Sequence, residues 1–270
     1  MFRIRIQNKK KCIWYCSAVV SFLLFLLLLG WTNHLANTQD AQQMAGRWSE
    51  KKDVAQISCF FSSKAEVTED TIQSFEYSLK NVLQEASITE TSENPSARLW
   101  VDAYSADGKI TLVNGKNTLD ANAIGIGGDF FMFHPLKLIT GSYFSGNDLM
   151  QDYCIIDQDA AWQLFGSNDV VGMTVYIGNV PHIVTGVVQR PDSRMDKAAG
   201  LNSTVVYVSY ETLSAYGTNN GINHYEIVMP NPVDEFAYSK VKEGIGIDEK
   251  NVEIVENSRR YSLPNRIKTI

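Results

Sequence analysis

The chain has 270 residues, with 24 Lys and Arg against 30 Asp and Glu, a formal net charge of −6, and 44% hydrophobic residues, enough for one large domain or two small ones. Its charge is unevenly divided, because Arg3, Arg5, Lys9, Lys10 and Lys11 precede any acidic residue and leave the remainder strongly acidic. An acidic exterior argues against a nucleic-acid partner and against docking on an anionic membrane surface.

Directly behind the basic cluster lies one uncharged apolar span, Ile13 to Trp31. At ~1.5 Å rise per residue it makes a helix of about 28 Å, close to the thickness of a bilayer's hydrocarbon core. Trp14, Tyr15 and Trp31 fall where interfacial aromatics collect. The positive cluster predicts a cytoplasmic N-terminus over residues 1–12, a transmembrane helix over 13–31 and an extracytoplasmic remainder. A cleaved signal peptide is the alternative. Its apolar region is normally about 7–15 residues and ends in a small-x-small cleavage site. Here the run is longer, and Thr32-Asn33-His34-Leu35-Ala36-Asn37 offers no clean site, so an uncleaved anchor is the reading adopted. Cys12 and Cys16 at its cytoplasmic edge read as apolar helix residues, with S-acylation as the alternative.

Residues 32–52 are polar and read as a stalk or a helical extension of the anchor. Val54 to Phe61 is a β-type run. Thr68 caps a helix whose first turn carries Glu69 and Asp70, and whose apolar face is Ile72, Phe75, Leu79, Val82, Leu83 and Ala86. Ser92-Glu93-Asn94-Pro95 is turn-rich, and Arg98 to Tyr104 reads as the second strand. Asp107-Gly108 predicts a hairpin turn into Ile110–Val113. Asp157 or Gln158 opens a short helix through Ala160, Ala161, Trp162, Leu164 and Phe165, which Gly166 closes. Thr174–Ile177 and Ile183–Val188 pair across Gly178-Asn179. Val205–Val208 is a strand, and Ser209 caps a helix ending at Tyr216-Gly217. Tyr225–Met229 is a strand ended by Pro230. Asp234 caps a helix carrying Phe236, Ala237 and Val241, which Gly244 and Gly246 end, and Val252–Val255 follows as the last strand. Two β-α-β units thus flank a mainly β middle, and two such units facing each other make a split β-α-β sandwich of ferredoxin-like type.

No catalytic, cofactor-binding or metal-ligating residue is assigned. Gly125-Ile126-Gly127-Gly128 fits no phosphate-loop pattern and reads as a strand-ending turn. His34, His134, His182 and His224 read as scattered and paired with no carboxylate or cysteine, a metal site assembled from distant pieces being the alternative. Asp148, Asp152, Asp157 and Asp159 lack the glycine and terminal glutamate of an EF-hand loop and read as helix caps and surface charge. Asn202-Ser203-Thr204 matches a glycosylation sequon that matters only in a glycosylating host. Cys59 and Cys154 read as two buried free thiols, a disulfide being the alternative. Phe130, Phe131, Phe133, Tyr143 and Phe144 read as core packing, with an exposed partner-binding patch as the sharper alternative.

Several segments between Gly128 and Val188 follow one family's order. They are an aromatic-rich strand at Asp129-Phe130-Phe131, the stretch Leu138 through Gly141-Ser142-Tyr143-Phe144, and Cys154-Ile155-Ile156-Asp157 feeding Ala160-Ala161. Leu164-Phe165-Gly166, Asp169-Val170-Val171-Gly172 and Val184-Thr185-Gly186-Val187-Val188 complete it. This resembles the extracytoplasmic core domain of MacB-type ABC transporter permeases. Physically, Gly166 and Gly172 bracket a turn region, and Gly186 inside a β-branched strand predicts a bulge or close backbone approach. The matched residues are fold-making types, so the likeness speaks to architecture first.

The resemblance implies an α/β (α+β) protein: an N-terminal transmembrane helix, then a ferredoxin-like split β-α-β porter-type subdomain interrupted by a mainly β subdomain. The expected core domain covers 53–258, with porter-like halves at 53–105 and 223–258 and the insert at 106–222. A basic tail, 259–270, approaches the membrane. The resemblance further implies a cytoplasmic ABC ATPase subunit and further membrane-spanning permease segments as partners, a homodimer, a place in the plasma membrane, and an outer domain that couples ATP-driven motion to substrate export or to regulation of a partner. It implies no enzyme. The chain stops at Ile270 without a second apolar span, so it reads either as an N-terminal portion of a permease or as a single-span relative acting beside one. A single-span surface binding or sensing module without an ATPase partner is the alternative function. An anchored hydrolase, resting only on the pooled acidic residues, is a third.

Overall fold

A computed structural model of the chain describes residues 2–37, 40–49, 53–89, 98–190, 194, 198 and 203–260. The turn-rich Ser92-Glu93-Asn94-Pro95, Asn202 of the sequon and the tail 261–270 lie outside the described residues. The chain forms two units, residues 1–40 with 261–270, and residues 41–260.

In the first unit, helix α1 spans Phe2–Asn37 and carries the apolar stretch Ile13–Thr32, none of it buried. Among the described residues it is the one helix long and apolar enough to cross a membrane. An apolar face all round is stable only where the surroundings are themselves apolar.

The second unit contains, in chain order, α2 (Met44–Trp48), β1 (Val54–Phe61), α3 (Glu69–Glu85), β2 (Val101–Asn114), β3 (Asn117–Gly128), α4 (Phe130–Phe133), β4 (Leu138–Gly141), β5 (Tyr153–Asp157), α5 (Gln158–Phe165), β6 (Thr174–Ile177), β7 (Val180–Val188), β8 (Val205–Ser209), α6 (Tyr210–Tyr216), β9 (Thr218–Asn219), β10 (His224–Pro230), α7 (Phe236–Gly244), β11 (Val252–Glu256) and α8 (Asn257–Arg260). Strands β11, β1, β10 and β2 lie side by side, every neighbouring pair antiparallel. This is the ferredoxin-like order: each β-α-β unit straddles a strand of the other. Ala55, Ile57, Cys59 and Phe61 of β1 and Tyr225, Ile227 and Met229 of β10 form one core with Ile72, Phe75, Leu79 and Leu83 of α3 and Ala237 and Val241 of α7. Burying each large apolar side chain contributes roughly 1.5–3 kcal/mol. Val82 is only half-buried and Ala86 is exposed, so the working face of α3 is narrower than its sequence suggests.

β2 does not stop at the ferredoxin-like sheet. Val101–Ser105 pairs with β10, and Ala103–Asn114 pairs with β3. From β2 the pairing runs through β3, β8, β5, β7 and β6 and returns to β2 at Leu112 and Val113. Six strands therefore close into a ring around Ala106, Ile110, Leu112, Ala123, Cys154, Ile156, Val175, Ile177, Val184, Val206 and Val208. Closure removes the exposed edges that an open mixed sheet would present.

Several local expectations are met in detail. Thr71 Oγ1 accepts the Thr68 N–H at 3.4 Å at the start of α3, Asp157 accepts the Ala160 N–H at 2.8 Å at the start of α5, and Gly166 closes α5 at φ 74°. Gly178 and Asn179, at φ 57° and 68°, form the tight turn between β6 and β7. Opposite Gly186 the β5–β7 register slips by one residue, a bulge of the expected kind.

Other expectations are corrected. Asp107-Gly108 is not a hairpin turn, because both residues lie within β2. Gly108 is there for another reason: a Cβ would stand 2.2 Å from the Thr218 carbonyl oxygen, where β9 crosses. Asp129-Phe130-Phe131 is not strand; Phe130–Phe133 form one helical turn that folds aromatic rings back onto the sheet. The residue preceding α7 is Glu235, not Asp234, and Asn231 Oδ1 accepts the Ala237 N–H at 3.1 Å. The end of the expected stalk is part of the domain, since Met44 of α2 is buried in its core.

Candidate functional site

Strands alternate their side chains between faces, so the ferredoxin-like sheet has a second surface opposite α3 and α7. There β1 presents Gln56, Ser58 and Phe60, and β10 presents His224, Glu226 and Val228. The register sets Ser58 opposite Glu226 and Phe60 opposite His224. Helices α2, α4 and α8 cover this surface with Met44, Phe130, Phe131 and Phe133 among their buried residues and Asn257 at its margin. Arg47 of α2 donates to the Met132 carbonyl of α4 at 2.6 Å, and Arg98 pairs with Asp129 at 2.5 Å. The result is a buried polar cluster under an apolar lid.

Within it Glu226 is the central charge, its side chain only 4% exposed. Ser58 Oγ donates to Glu226 Oε1 at 2.8 Å, and Gln56 Nε2 lies 3.4 Å from the same oxygen. Asn257 Nδ2 donates to Ser58 Oγ at 2.7 Å, fixing that hydroxyl. Gln56 is itself held at both ends, by the Met44 N–H and the Ala41 carbonyl. His134, just past α4, brings Nε2 to 2.5 Å from Glu226 Oε2, and His224 Nε2 lies 3.9 Å from Oε1. Phe60 stacks on His224 with ring centroids 4.6 Å apart. Burial alone raises the Glu226 carboxyl, but His134, His224 and Ser58 outweigh it and hold the group below its usual value. Burial lowers the His224 imidazole more than Glu226 raises it, which favours the neutral ring.

The histidines are therefore not all scattered. His134 and His224 converge on a carboxylate, while His182 is buried elsewhere and contacts the Val180 carbonyl and the Thr212 hydroxyl. The available signal was alternation: Glu226 on the predicted strand Tyr225–Met229, His224 just before it, and Gln56 and Ser58 on the predicted strand Val54–Phe61 put polar residues on one face.

A second cluster lies on the helix side. Burial pushes the Glu76 carboxyl up to about 8, helped by the Asp102 charge and by a hydrogen bond between the two carboxyls. Asp102 is also raised, chiefly by burial. Three acids of the interval 148–159 have structural work. Asp157 caps α5 and also accepts the Val205 N–H at 3.1 Å, Asp148 accepts the Ser145 N–H at 2.9 Å, and Asp159 pairs with Arg190. Cys59 and Cys154 are free and buried, and burial pushes the Cys154 thiol up to about 12. Phe130, Phe131, Phe133 and Phe144 are buried core residues.

Comparison with known proteins places this architecture. The family model described as MacB-like periplasmic core domain matches residues 21–250. The chain belongs to this family, a domain of ABC transporter permeases. The macrolide export ATP-binding/permease protein MacB of Chromobacterium violaceum is 32% identical over 99 residues, covering 36% of this chain and 15% of that protein. The protein of the same description from Pasteurella multocida is 30% identical over 98 residues, 36% of this chain and 14% of its own length. The chain thus matches only a small part of the length of these relatives. Among solved structures, the periplasmic region of MacB from Actinobacillus actinomycetemcomitans aligns with TM-score 0.47 and 18% identity, covering 80% of this chain and 93% of that one. The extracellular domain of the ABC-type transporter YknZ from Gram-positive bacteria aligns with TM-score 0.45 and 18% identity, covering 74% and 99%. An apolar helix in front of a domain of this family is the arrangement of a membrane-anchored transporter component.

Proposed function

We propose that this chain is the first membrane helix and outer domain of a permease-type component, coupling motion driven by a separate ATPase to substrate export or to regulation of a partner. One observation carries the reading. The family match begins inside the apolar helix, at residue 21, and runs through the domain to residue 250, so anchor and domain belong to one family unit. The basic cluster before Ile13 favours a cytoplasmic N-terminus, which puts the domain outside the membrane. The named relatives unite ATP binding and permease in macrolide export, and the same chemistry, with the ATPase supplied by another polypeptide or segment, is assigned here. The chain has no G-x-x-x-x-G-K-[ST] loop with which to bind ATP itself.

The path of β2 supports a division of labour. We assign residues 53–105 and 223–258 to a porter-like half and 106–222 to a mainly β half. Displacement of one half is transmitted to the other along this continuous strand instead of through a linker. Tagged chain recovered from native membranes in mild detergent, with its companions identified by mass spectrometry, tests the reading. An ATP-binding subunit or a polypeptide with further spans is the expected companion. Recovery alone, or with an extracellular protein and no ATPase, overturns the reading in favour of an anchored binding module.

A further inference from the structure

One ring nitrogen from each of His134 and His224 and one carboxylate oxygen of Glu226 all lie within 4.8 Å of one another. One of these donors stands idle, and a second has a single partner. His224 Nε2 is a buried atom without a hydrogen-bond partner, and Glu226 Oε2 is buried with only the His134 ion pair. His134 Nε2 stands 2.5 Å from that oxygen. A plain His134–Glu226 ion pair accounts for the short distance but leaves His224 Nε2 aimed at the same carboxylate with nothing to bond. Buried polar atoms of this kind are rare and costly, and here they gather in one cluster.

We propose that His134, His224 and Glu226 bind a divalent transition-metal ion of the Zn²⁺ class, with a further coordination position open to solvent. Two imidazoles and one carboxylate are a donor set that zinc accepts, with bonds of about 2.0–2.2 Å in tetrahedral geometry. Such an ion holds its ligands about 3.4 Å apart. Binding through Glu226 Oε2 therefore opens its contact with His134 Nε2 from 2.5 Å. Access runs past the histidines, whose side chains are 24% and 20% exposed. The support expected around a metal ligand is in place: Ser58, fixed by Asn257, and Gln56 orient the carboxylate, and Phe60 holds the His224 ring. The ion would join the turn after α4 to β10, fastening the lid to the ferredoxin-like sheet. This inference stands independently of the transport reading.

The test uses the full chain in detergent, without a polyhistidine tag and stripped by chelator. Titration with ZnCl₂ should show one saturable ion per chain and, at about 100 times the dissociation constant, a Tm raised by about 5–10 °C. Ser58→Ala should weaken binding about 10–100-fold. His134→Gln and His224→Gln should remove the saturable binding and the Tm rise while the metal-free transition persists. Should either variant fail to fold, Co²⁺ added to the wild-type chain decides: intense visible bands of a four-coordinate ion support the site, and a weak octahedral spectrum overturns it. No saturable Zn²⁺ binding by the wild type, or equal affinity in folded histidine variants, also overturns it.

Discussion

The Glu76 and Asp102 carboxyls show how a single burial decision becomes a pH dependence. With its pKa raised from 4.5 to about 8, Glu76 binds its proton more tightly in the folded domain than in the unfolded chain. Its contribution to stability is therefore fully present below about pH 4.5 and is lost as pH rises through about 8. Glu76→Gln, which stays neutral, should flatten that fall. Thermal unfolding of the detergent-solubilised chain at pH 5 and pH 9 should show the variant several degrees above wild type at the higher pH and close to it at the lower. The effect is moderated because Glu76 is only half-buried and solvent screens part of its interaction with Asp102. An equal pH dependence in both proteins would refute this account. Gly166 poses a purely conformational question: its φ is 74° and a Cβ there meets nothing within 4 Å. Gly166→Ala should cost about 1 kcal/mol through backbone strain alone, measured by denaturant unfolding.

Among the elements, those whose boundaries are set by local chemistry are the ones readable in advance. β1 covers Val54–Phe61 as its β-branched and aromatic content predicts, and Asp157 with Gly166 delimits α5. The Gly178-Asn179 turn is legible because only glycine and asparagine adopt two successive positive φ values cheaply. Elements shaped by distant neighbours were misread. Gly108 carries the mark of a turn, yet its small size serves the approach of Thr218 from 110 residues later. Phe130–Phe133 has strand-like composition, but the sheet beside it offers a surface to cover instead of an edge to extend.

For the molecule as a whole, β2 is the shared member of both halves, and cooperativity should follow. Ile57 belongs to the ferredoxin-like core and Leu112 to the closed ring, and neither side chain is exposed. Ile57→Ala and Leu112→Ala should each destabilise by about 2–5 kcal/mol, and both should lower the same single unfolding transition. Two separable transitions, each sensitive to one variant, would show instead that the halves fold apart.

The anchor helix, the two β-α-β units and the family likeness were determined by the sequence alone, because hydrophobic run length, period and turn residues act over a few neighbours. Tertiary structure alone decided the ring closure through β6 and the meeting of His134, His224 and Glu226. Strand pairing is fixed by which faces must be buried together, and residues some 90 positions apart become neighbours only once that burial is complete.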